Sequence, residues 1–328
     1  MSYSEAVLHR ARQRLAQAKA DRDAENTRHR AEAYARVPRL AEIDRQLSAT
    51  VAQAVAVSFR RGEDPGQAIE ALREKNLALQ REREWLVSGF EEGFLDDGPI
   101  CPQCGGSGYM GEKMCECLRE LCRQEQKKEL TSLLSVGNAR FEHFRLDLYP
   151  DTYHEDYGCS PRQMMRLVLS RCQRYCASFG PDSGNMLFTG GPGLGKTFLS
   201  ACIARAVADG GHSVVYETAI GLFSEFETAK FGDYSEENTA RTEKFLKSDL
   251  LIIDDLDSEM TTQFTMSALY RVINTRLMEG KATIISTNLT REALSSRYSP
   301  AICSRILGMY QLMQFLGNDL RQEKNGKG

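Results

Sequence analysis

The sequence predicts an α/β protein with a phosphate-binding loop at its centre, preceded by a helical arm and a small cysteine-rich module. Three observations support this fold class. A short apolar strand runs into a glycine-rich turn and a helix at Asn185–Thr197. Two further apolar strands end in polar side chains, at Asp249–Asp257 and at Ala282–Asn288. Continuous apolar strands of this kind are typical of a parallel sheet that is covered by helices on both faces.

The phosphate-binding loop is defined by Gly190, Gly195, Lys196 and Thr197, which have the spacing G-x-x-x-x-G-K-[ST]. Glycines let the backbone curl so that several N–H groups point at one phosphate chain, and the helix after them adds its positive dipole end. We expect Lys196 to bind the β- and γ-phosphates and the Thr197 hydroxyl to bind Mg²⁺. A chance glycine-rich turn would not require a strand before it and a helix after it. The predicted nucleotide-binding residues are Gly190, Gly191, Pro192, Gly193, Leu194, Gly195, Lys196, Thr197 and Phe198.

The polar strand ends supply the remaining candidate catalytic groups. Asp254 should reach the carboxyl edge of the sheet and hold Mg²⁺ directly or through water, and Asp255 is the candidate for polarising the attacking water. Asp257 is interpreted as a turn or cap residue. Asn288 can orient a water molecule or a γ-phosphate oxygen, because its carboxamide both donates and accepts hydrogen bonds.

Four cysteines form a candidate zinc site. Cys101 and Cys104 are spaced CxxC, and Cys115 and Cys117 form a second close pair. Four thiolates suit a structural tetrahedral Zn²⁺, because they leave no open coordination position for a substrate. Cys122 is close enough in the sequence to be an alternative fourth ligand. A redox dithiol is the competing interpretation, but the usual strand-to-helix setting of such a motif is missing.

The N-terminal region is predicted to be helical. Residues 4 to 60 contain almost no glycine, and a second helical run covers residues 67 to 90, so the two runs can close as an antiparallel hairpin. This hairpin could bind a partner, could simply pack on itself, or both. The predicted domains are residues 1–95 for the arm, 96–135 for the four-cysteine zinc module with a linker helix, and 136–328 for the ATPase domain.

Composition narrows the class of protein. The formal net charge of -3 and the pI near 6.1 argue against a chain that coats nucleic acid, so any DNA contact should be local. No stretch approaches the roughly 18 apolar residues of a membrane span, and the first residues do not form a signal peptide. We therefore expect a cytoplasmic protein with no membrane partner, whose cysteines are thiols or metal ligands.

Segments on either side of the three strands complete the prediction. The aromatic stretch Phe141–Pro150 is expected beside the nucleotide base, and Pro161 should open a helix that runs through Cys176. Arg297, Arg305 and Arg321 are candidates for phosphate contacts, because phosphoryl transfer requires a cation on the γ-phosphate.

Five segments together resemble the bacterial helicase-loader branch of the AAA+ ATPases, the DnaC and DnaI type. They are Gly190–Thr197, Leu250–Leu256, Ser286–Asn288, Ala301–Gly308 and Phe315–Arg321. The match covers residues 140 to 324, and the cysteine segment before them is similar to that of DnaI-like loaders.

The resemblance implies a five-stranded AAA+ core, ATP with Mg²⁺ as cofactors, and self-association through the ATPase domain. It implies that the N-terminal region binds a hexameric replicative DNA helicase while the ATPase domain contacts single-stranded DNA. On this basis Asn288 takes the sensor position, Arg305 is the arginine finger that acts in trans, and Arg321 is the second sensor. The segment Ile220–Lys230 corresponds to a helix implicated in DNA contact.

Two departures from the family pattern modify these expectations. Asp255 stands where most AAA+ enzymes have glutamate, so we expect slow hydrolysis. The DNA segment carries Glu225 and Glu227 and only one basic residue, Lys230, so DNA binding should be weak.

The resulting prediction is an ATP-dependent loader or remodeller of the replicative DNA helicase. On this interpretation ATP binding and hydrolysis act as a switch in the initiation of DNA replication. Two alternatives stay open: the ATPase subunit of an IstB-like transposition system, and a nucleotide-binding adaptor without catalysis.

Overall fold

The computed structural model describes residues 3–58, 65–96, 98–133, 139–232 and 236–321. Most of the predicted break at Arg60–Gly66, and all of the predicted linker Ser135–Asn138, lie outside these residues. The chain forms two compact units. One is Gln13–Cys115, and the other combines Met1–Arg12 with Glu116–Gly328.

The smaller unit contains most of the helical arm and a short hairpin. Its elements are α1 (Glu5–Arg36, which begins in the larger unit), α2 (Pro38–Ser58), α3 (Pro65–Val87), β1 (Tyr109–Met110) and β2 (Lys113–Met114). The break between α1 and α2 falls at Val37, because the ring of Pro38 disfavours a helical backbone at the residue before it.

Helices α2 and α3 pack against each other in antiparallel directions. Arg39, near the start of α2, forms a salt bridge of 2.7 Å with Glu82, near the end of α3. Arg83 on the same turn of α3 lies 2.8 Å from Asp44 of α2. Pairing of the start of one helix with the end of the next is the arrangement of a helical hairpin.

The larger unit is built on a five-stranded parallel sheet with the order β4-β5-β6-β3-β7. Its strands are β3 (Asn185–Thr189), β4 (Val214–Thr218), β5 (Leu250–Asp254), β6 (Ala282–Thr287) and β7 (Tyr310–Gln314). Strand β6 therefore lies between the loop strand β3 and the acidic strand β5. This order confirms the predicted five-stranded parallel core.

Helices cover both faces of the sheet. In chain order they are α4 (Glu116–Leu133), α5 (Pro161–Ala177), α6 (Lys196–Asp209), α7 (Ala219–Phe231), α8 (Glu236–Lys247), α9 (Gln263–Met278), α10 (Arg291–Arg297) and α11 (Pro300–Met309). Helices α4, α5 and α6 lie on one face, and α7, α9 and α11 lie on the other.

Successive residues of the inner strands enter opposite hydrophobic cores. Ile252 and Ile284 belong to the core beneath α6, whereas Leu251 and Ile285 belong to the core beneath α9. Every residue of β5 and β6 is buried. This two-sided burial explains why the sequences of these strands are continuous apolar runs and do not alternate between apolar and polar residues.

Helix α4 packs on the edge of the sheet, although the predicted boundaries assigned it to the zinc module. The Gln126 side chain donates to the His212 carbonyl at 2.8 Å and accepts from the Val214 N–H at 3.1 Å. The Tyr3 hydroxyl donates to the Gly211 carbonyl at 3.1 Å. These contacts place residues 116–133 and the first described residues of the chain with the sheet of the larger unit.

No helix within the described residues is both long enough and apolar enough to cross a membrane.

Candidate nucleotide-binding site

The phosphate-binding loop connects β3 to α6 and holds its lysine inside the fold. Lys196 is only 5% exposed. Its ammonium group donates to the Gly190 carbonyl, the Gly191 carbonyl and the Asn288 carboxamide oxygen, each at 2.7 Å. Because an ammonium has three donors, these bonds use its full capacity. The loop and the residue that follows β6 are thus joined at the Lys196 ammonium.

Close packing, against backbone at one position and against side chains at the other, explains two of the loop glycines. Gly190 has φ +141°, and a Cβ there would lie 2.4 Å from the Phe315 carbonyl oxygen. Gly195 has φ +88°, and its Cβ would lie 3.1 Å from the Tyr149 hydroxyl. That hydroxyl donates to the Leu194 carbonyl at 2.8 Å. The loop therefore packs against two segments, the one that follows β7 and the one that precedes α5.

Asp254 lies at the end of β5 and is 3% exposed. Its carboxylate accepts one hydrogen bond from the Tyr216 hydroxyl at 2.6 Å and another from the Ser286 hydroxyl. Burial raises the pKa of Tyr216, and the negative charge of Asp254 raises it further, so the phenol remains a donor. Asp254 does not line the nucleotide cleft. Its two oxygens accept hydrogen bonds from the neighbouring strands β4 and β6. Of the two predicted modes of magnesium binding, this arrangement favours binding through water over direct binding.

Asp255 and Asp257 do line the cleft. Asp255 has φ +53°, and it is the one non-glycine residue with positive φ in the part of the chain that the structure describes. This left-handed backbone turns its side chain out of the strand direction. Burial raises the pKa of Asp255, and the charges of Asp254 and Asp257 raise it further, while Lys196 opposes them.

Asp257 lies in a turn, as the sequence analysis interpreted it, and it also contacts the residue that follows β6. Its carboxylate accepts from the Asn288 backbone N–H at 2.7 Å. The signal available in the sequence was its place two residues after Asp255 in the same strand-exit loop. Burial lowers the pKa of Lys196, and Asp255 and Asp257 counter that shift.

These groups surround a cleft of about 590 Å³. On one side lie Phe144 and Tyr149, from the aromatic segment that was expected beside the nucleotide base. The loop residues that line it are Pro192, Gly193, Leu194, Gly195, Lys196, Thr197 and Phe198. Gly190 and Gly191 do not line it and instead bind the Lys196 ammonium through their carbonyls. An apolar wall, a glycine turn and a cation together suit a nucleoside triphosphate.

The candidate arginines occupy three different environments. Arg321 lines the cleft. Arg305 lies outside the cleft and donates to the Asn274 side chain at 2.9 Å and to the Tyr270 hydroxyl at 2.9 Å, both on α9. Arg297 also lies outside the cleft and pairs with Glu259, 3.4 Å away.

The cysteine cluster is the second candidate site. Its sulfur atoms all lie within 4.8 Å of one another, and they belong to Cys101, Cys104, Cys115 and Cys117. The Cys101 and Cys115 sulfurs are 3.8 Å apart. Four sulfurs at about 2.3 Å from a tetrahedral zinc would be about 3.8 Å apart, so the cluster is compatible with Zn²⁺.

Cys122 is not a member of this cluster. It is fully buried, and burial raises its pKa to about 11, which favours the neutral thiol.

The sheet order, with one strand inserted between the loop strand and the acidic strand, defines a P-loop nucleotide-binding protein of the AAA+ class. Within that class, the family model of the IstB-like ATP binding proteins matches residues 153–327. The match covers more than half of the chain, and the chain belongs to this family.

Three curated proteins with different descriptions are similar to this chain. Protein YdaV of Escherichia coli K12, described as uncharacterized, is 24% identical over 200 residues, which are 60% of this chain and 74% of that protein. The replicative helicase loader DnaC of the same strain is 24% identical over 182 residues, which are 55% of this chain and 73% of the loader. An insertion sequence ATP-binding protein of Sinorhizobium fredii, y4iQ/y4nD/y4sD, is 33% identical over 104 residues, 32% of this chain and 34% of that protein. The similarity to DnaC confirms the resemblance to the helicase-loader branch.

Proposed function

We propose that this protein is an ATP-dependent loader or remodeller of a hexameric replicative DNA helicase, acting in the initiation of DNA replication. The observation that carries the proposal is the contact between Lys196 of the phosphate loop and Asn288 at the end of β6. A ligand that takes hydrogen bonds from this ammonium releases the Asn288 side chain, so nucleotide binding and a structural change are coupled. The similarity to DnaC directs the choice of partner.

Residue roles follow from the positions of the side chains. Lys196 exchanges its bonds to loop carbonyls and Asn288 for bonds to phosphate oxygens. The Thr197 hydroxyl would hold Mg²⁺, and the ion would neutralise charge on the phosphates. Asp254 would bind the metal through a water molecule or stabilise it by its negative charge, since its own oxygens accept hydrogen bonds from Tyr216 and Ser286. Asp255, held in the cleft by its left-handed backbone, polarises the attacking water.

Arginines complete the nucleotide switch. Arg321 lines its own cleft and can contact a bound phosphate as the second sensor. Arg305 projects from α11 while fastened to α9, outside the cleft of its own subunit. It therefore serves the site of a neighbouring copy, as an arginine finger does. Self-association through the ATPase domain follows from this assignment.

We assign the contacts with single-stranded DNA to the end of α7, at Lys230 and Phe231, and to the neighbouring Phe264. Glu225 of α7 lies 3.4 Å from Arg241 and 3.5 Å from Lys244, so its charge is balanced by α8. Lys230 lies over the rings of Phe231 and Phe264, and Phe231 is largely exposed. A cation beside an exposed aromatic ring can stack on bases without sequence preference. A single exposed aromatic ring with one cation favours weak binding of single-stranded DNA.

Zinc binding by the four clustered cysteines has a structural role in the proposal. The spacing of the sulfurs supports it, and a small hairpin such as β1–β2 has little core of its own.

The enzymatic part of the proposal is tested by ATPase assays on Asp255→Asn and Lys196→Ala. Asp255→Asn should retain ATP binding and lose about 10²- to 10⁴-fold in kcat, as expected for removal of a general base. Lys196→Ala should lose nucleotide binding. Asp182→Asn, an exposed acid in the turn before β3, is the matched control and should behave as wild type. Equal rates for wild type and Asp255→Asn would favour the adaptor without catalysis.

The second candidate is an ATPase subunit of a transposition system, and the family description together with the Sinorhizobium fredii relative favours it. The helical arm and the cysteine cluster favour the loader. The full chain is the suitable bait in a pull-down. Residues 116–133 pack on the sheet of the larger unit, and an N-terminal fragment would lack that sheet. A replicative helicase in the eluate supports the loader, and a transposase would reverse the assignment.

A further inference from the structure

Glu259 is a buried acid at the end of the loop that carries Asp255 and Asp257. Its side chain is 3% exposed. The Tyr298 hydroxyl donates to its carboxylate, and the Arg297 guanidinium donates to its backbone carbonyl and lies 3.4 Å from its carboxylate. Tyr298 is buried, and Arg297 lies over its ring with 5.9 Å to the centroid.

The same loop is fastened a second time at its other end. The Leu256 N–H donates to the Ser286 carbonyl at 2.8 Å, and the Leu256 carbonyl accepts from the Thr287 hydroxyl at 2.8 Å. Asp257 accepts from the Asn288 N–H at 2.7 Å. The loop is thus bound at its start to the end of β6 and at its finish to the end of α10.

Helix α10 connects these two attachment points. It begins three residues after Asn288 and ends at Arg297, and the side chain of its N-cap residue Thr290 accepts from the Ala293 N–H. The acids of the cleft and the sensor asparagine therefore belong to one closed circuit. The circuit runs from β5 through the loop to Glu259, across to α10, and back along α10 to Asn288.

A contribution to stability alone does not explain an ion pair at this position. Burying a carboxylate and a guanidinium has a desolvation cost that a close pair offsets only when the remaining polar atoms are bonded. Here the second carboxylate oxygen of Glu259 and the Nε of Arg297 have no hydrogen-bond partner among the described residues. The Glu259 side chain is buried and that of Arg297 is partly buried, and an incompletely bonded pair of this kind is better explained by the geometry it imposes on its segment.

We propose that Glu259 is a positioning residue of the nucleotide site. With Arg297 and Tyr298 it forms a latch that holds Asp255 and Asp257 in the cleft and links them to Asn288, an inference that rests on the ATPase function proposed above. Arg297 accordingly belongs to this latch and not to the phosphate contacts for which it was a candidate. ATP binding by the loop residues does not depend on the latch, because none of its members lines the cleft.

The latch is tested with Glu259→Gln, which keeps the shape and removes the charge, and with Tyr298→Phe, which removes only one hydroxyl. Asp182→Asn is the control, since Asp182 is an exposed acid in the turn before β3 and lies in neither segment that is measured. The first measurement is backbone hydrogen exchange in the full-length protein. In both latch variants, exchange in segments 255–260 and 287–290 should become about tenfold faster, as expected when a bond to a charged group is lost.

The second measurement is steady-state ATP hydrolysis. Glu259→Gln should lower kcat about tenfold or more and change the KM for ATP by less than about twofold, because misplaced catalytic groups affect the chemical step more than ground-state binding. Exchange rates that stay at the control level in both segments would overturn the latch, and so would a raised KM with an unchanged kcat. If the wild type does not hydrolyse ATP, the enzymatic proposal fails, and hydrogen exchange alone then decides on the latch.

Discussion

Replacement of Gly190 by alanine tests whether this glycine is required by close packing as well as by its conformation. At φ +141° the backbone occupies a region that residues with a Cβ avoid. A methyl group there would lie 2.4 Å from the Phe315 carbonyl oxygen and 2.9 Å from the Phe315 Cβ. A side-chain rotation cannot relieve the clash, because the oxygen belongs to the backbone. That backbone is held in place by the hydrogen bond from the Phe315 N–H to the Thr189 carbonyl at 2.8 Å.

Two costs add in Gly190→Ala. The unfavourable backbone region costs about 1 to 3 kcal/mol, and forced overpacking costs about 1 to 3 kcal/mol more, so the free energy of unfolding should fall by about 2 to 6 kcal/mol. Gly280→Ala is the matched control. Gly280 has φ +63°, and a methyl group added to it would have no heavy atom within 4 Å, so only the backbone cost of about 1 to 2 kcal/mol applies.

Urea unfolding followed by circular dichroism gives the free energies, and thermal unfolding with and without MgATP reports nucleotide binding. MgATP should raise the Tm of Gly280→Ala as it does for the wild type, because a ligand that binds only the native state stabilises it. It should not raise the Tm of Gly190→Ala. Equal free energies of unfolding for the two alanine variants would refute the packing argument.

Three other predictions concern Asp249 before β5, the clustered cysteines and Arg305. Burial alone would raise the pKa of Asp249, but hydrogen bonds from Ser213 and Lys281 outweigh it and hold the pKa below its usual range. This contribution to stability is present above pH ~4 and is lost in acid. Asp249→Asn should therefore lower the free energy of unfolding by about 1.5 to 3 kcal/mol at pH 7, and this loss should shrink as the pH falls through the pKa of Asp249 in the folded protein. A loss that does not depend on pH would contradict the prediction. Cys101→Ser should reduce zinc, measured by mass spectrometry, from about one ion per chain to none, and a wild type without stoichiometric metal would remove the site. Arg305→Ala should abolish hydrolysis with ATP affinity unchanged in a binding titration, whereas lost affinity would show that Arg305 acts within its own subunit.

Local sequence signals were sufficient for the loop and the strands beside it. The glycine spacing at Gly190–Thr197 depends on backbone conformation within a few residues, and the two apolar runs are long enough to specify buried strands. The helix at Pro161 begins where a serine cap and a proline coincide, and the observed α5 starts there.

Contacts between distant segments could not be anticipated in the same way. The hydroxyls that bond Asp254 come from Tyr216 on β4 and Ser286 on β6, and their meeting depends on the register of three strands. Asp257 lies in a turn, as the sequence analysis interpreted it, but its place in the cleft could not be predicted, because a turn acid and a cleft acid have the same local sequence. Only the approach of Asn288 from the neighbouring strand distinguishes them.

The sequence by itself determined that the protein has a P-loop core, four clustered thiols and a helical N-terminal region, because each of these depends on residues that are close together in the chain. The tertiary structure decided which acids face the cleft, that Arg297 bonds Glu259, and that α4 packs with the five-stranded sheet. These features depend on strand register and helix packing, in which residues far apart in the chain become neighbours and burial selects which polar groups must be paired.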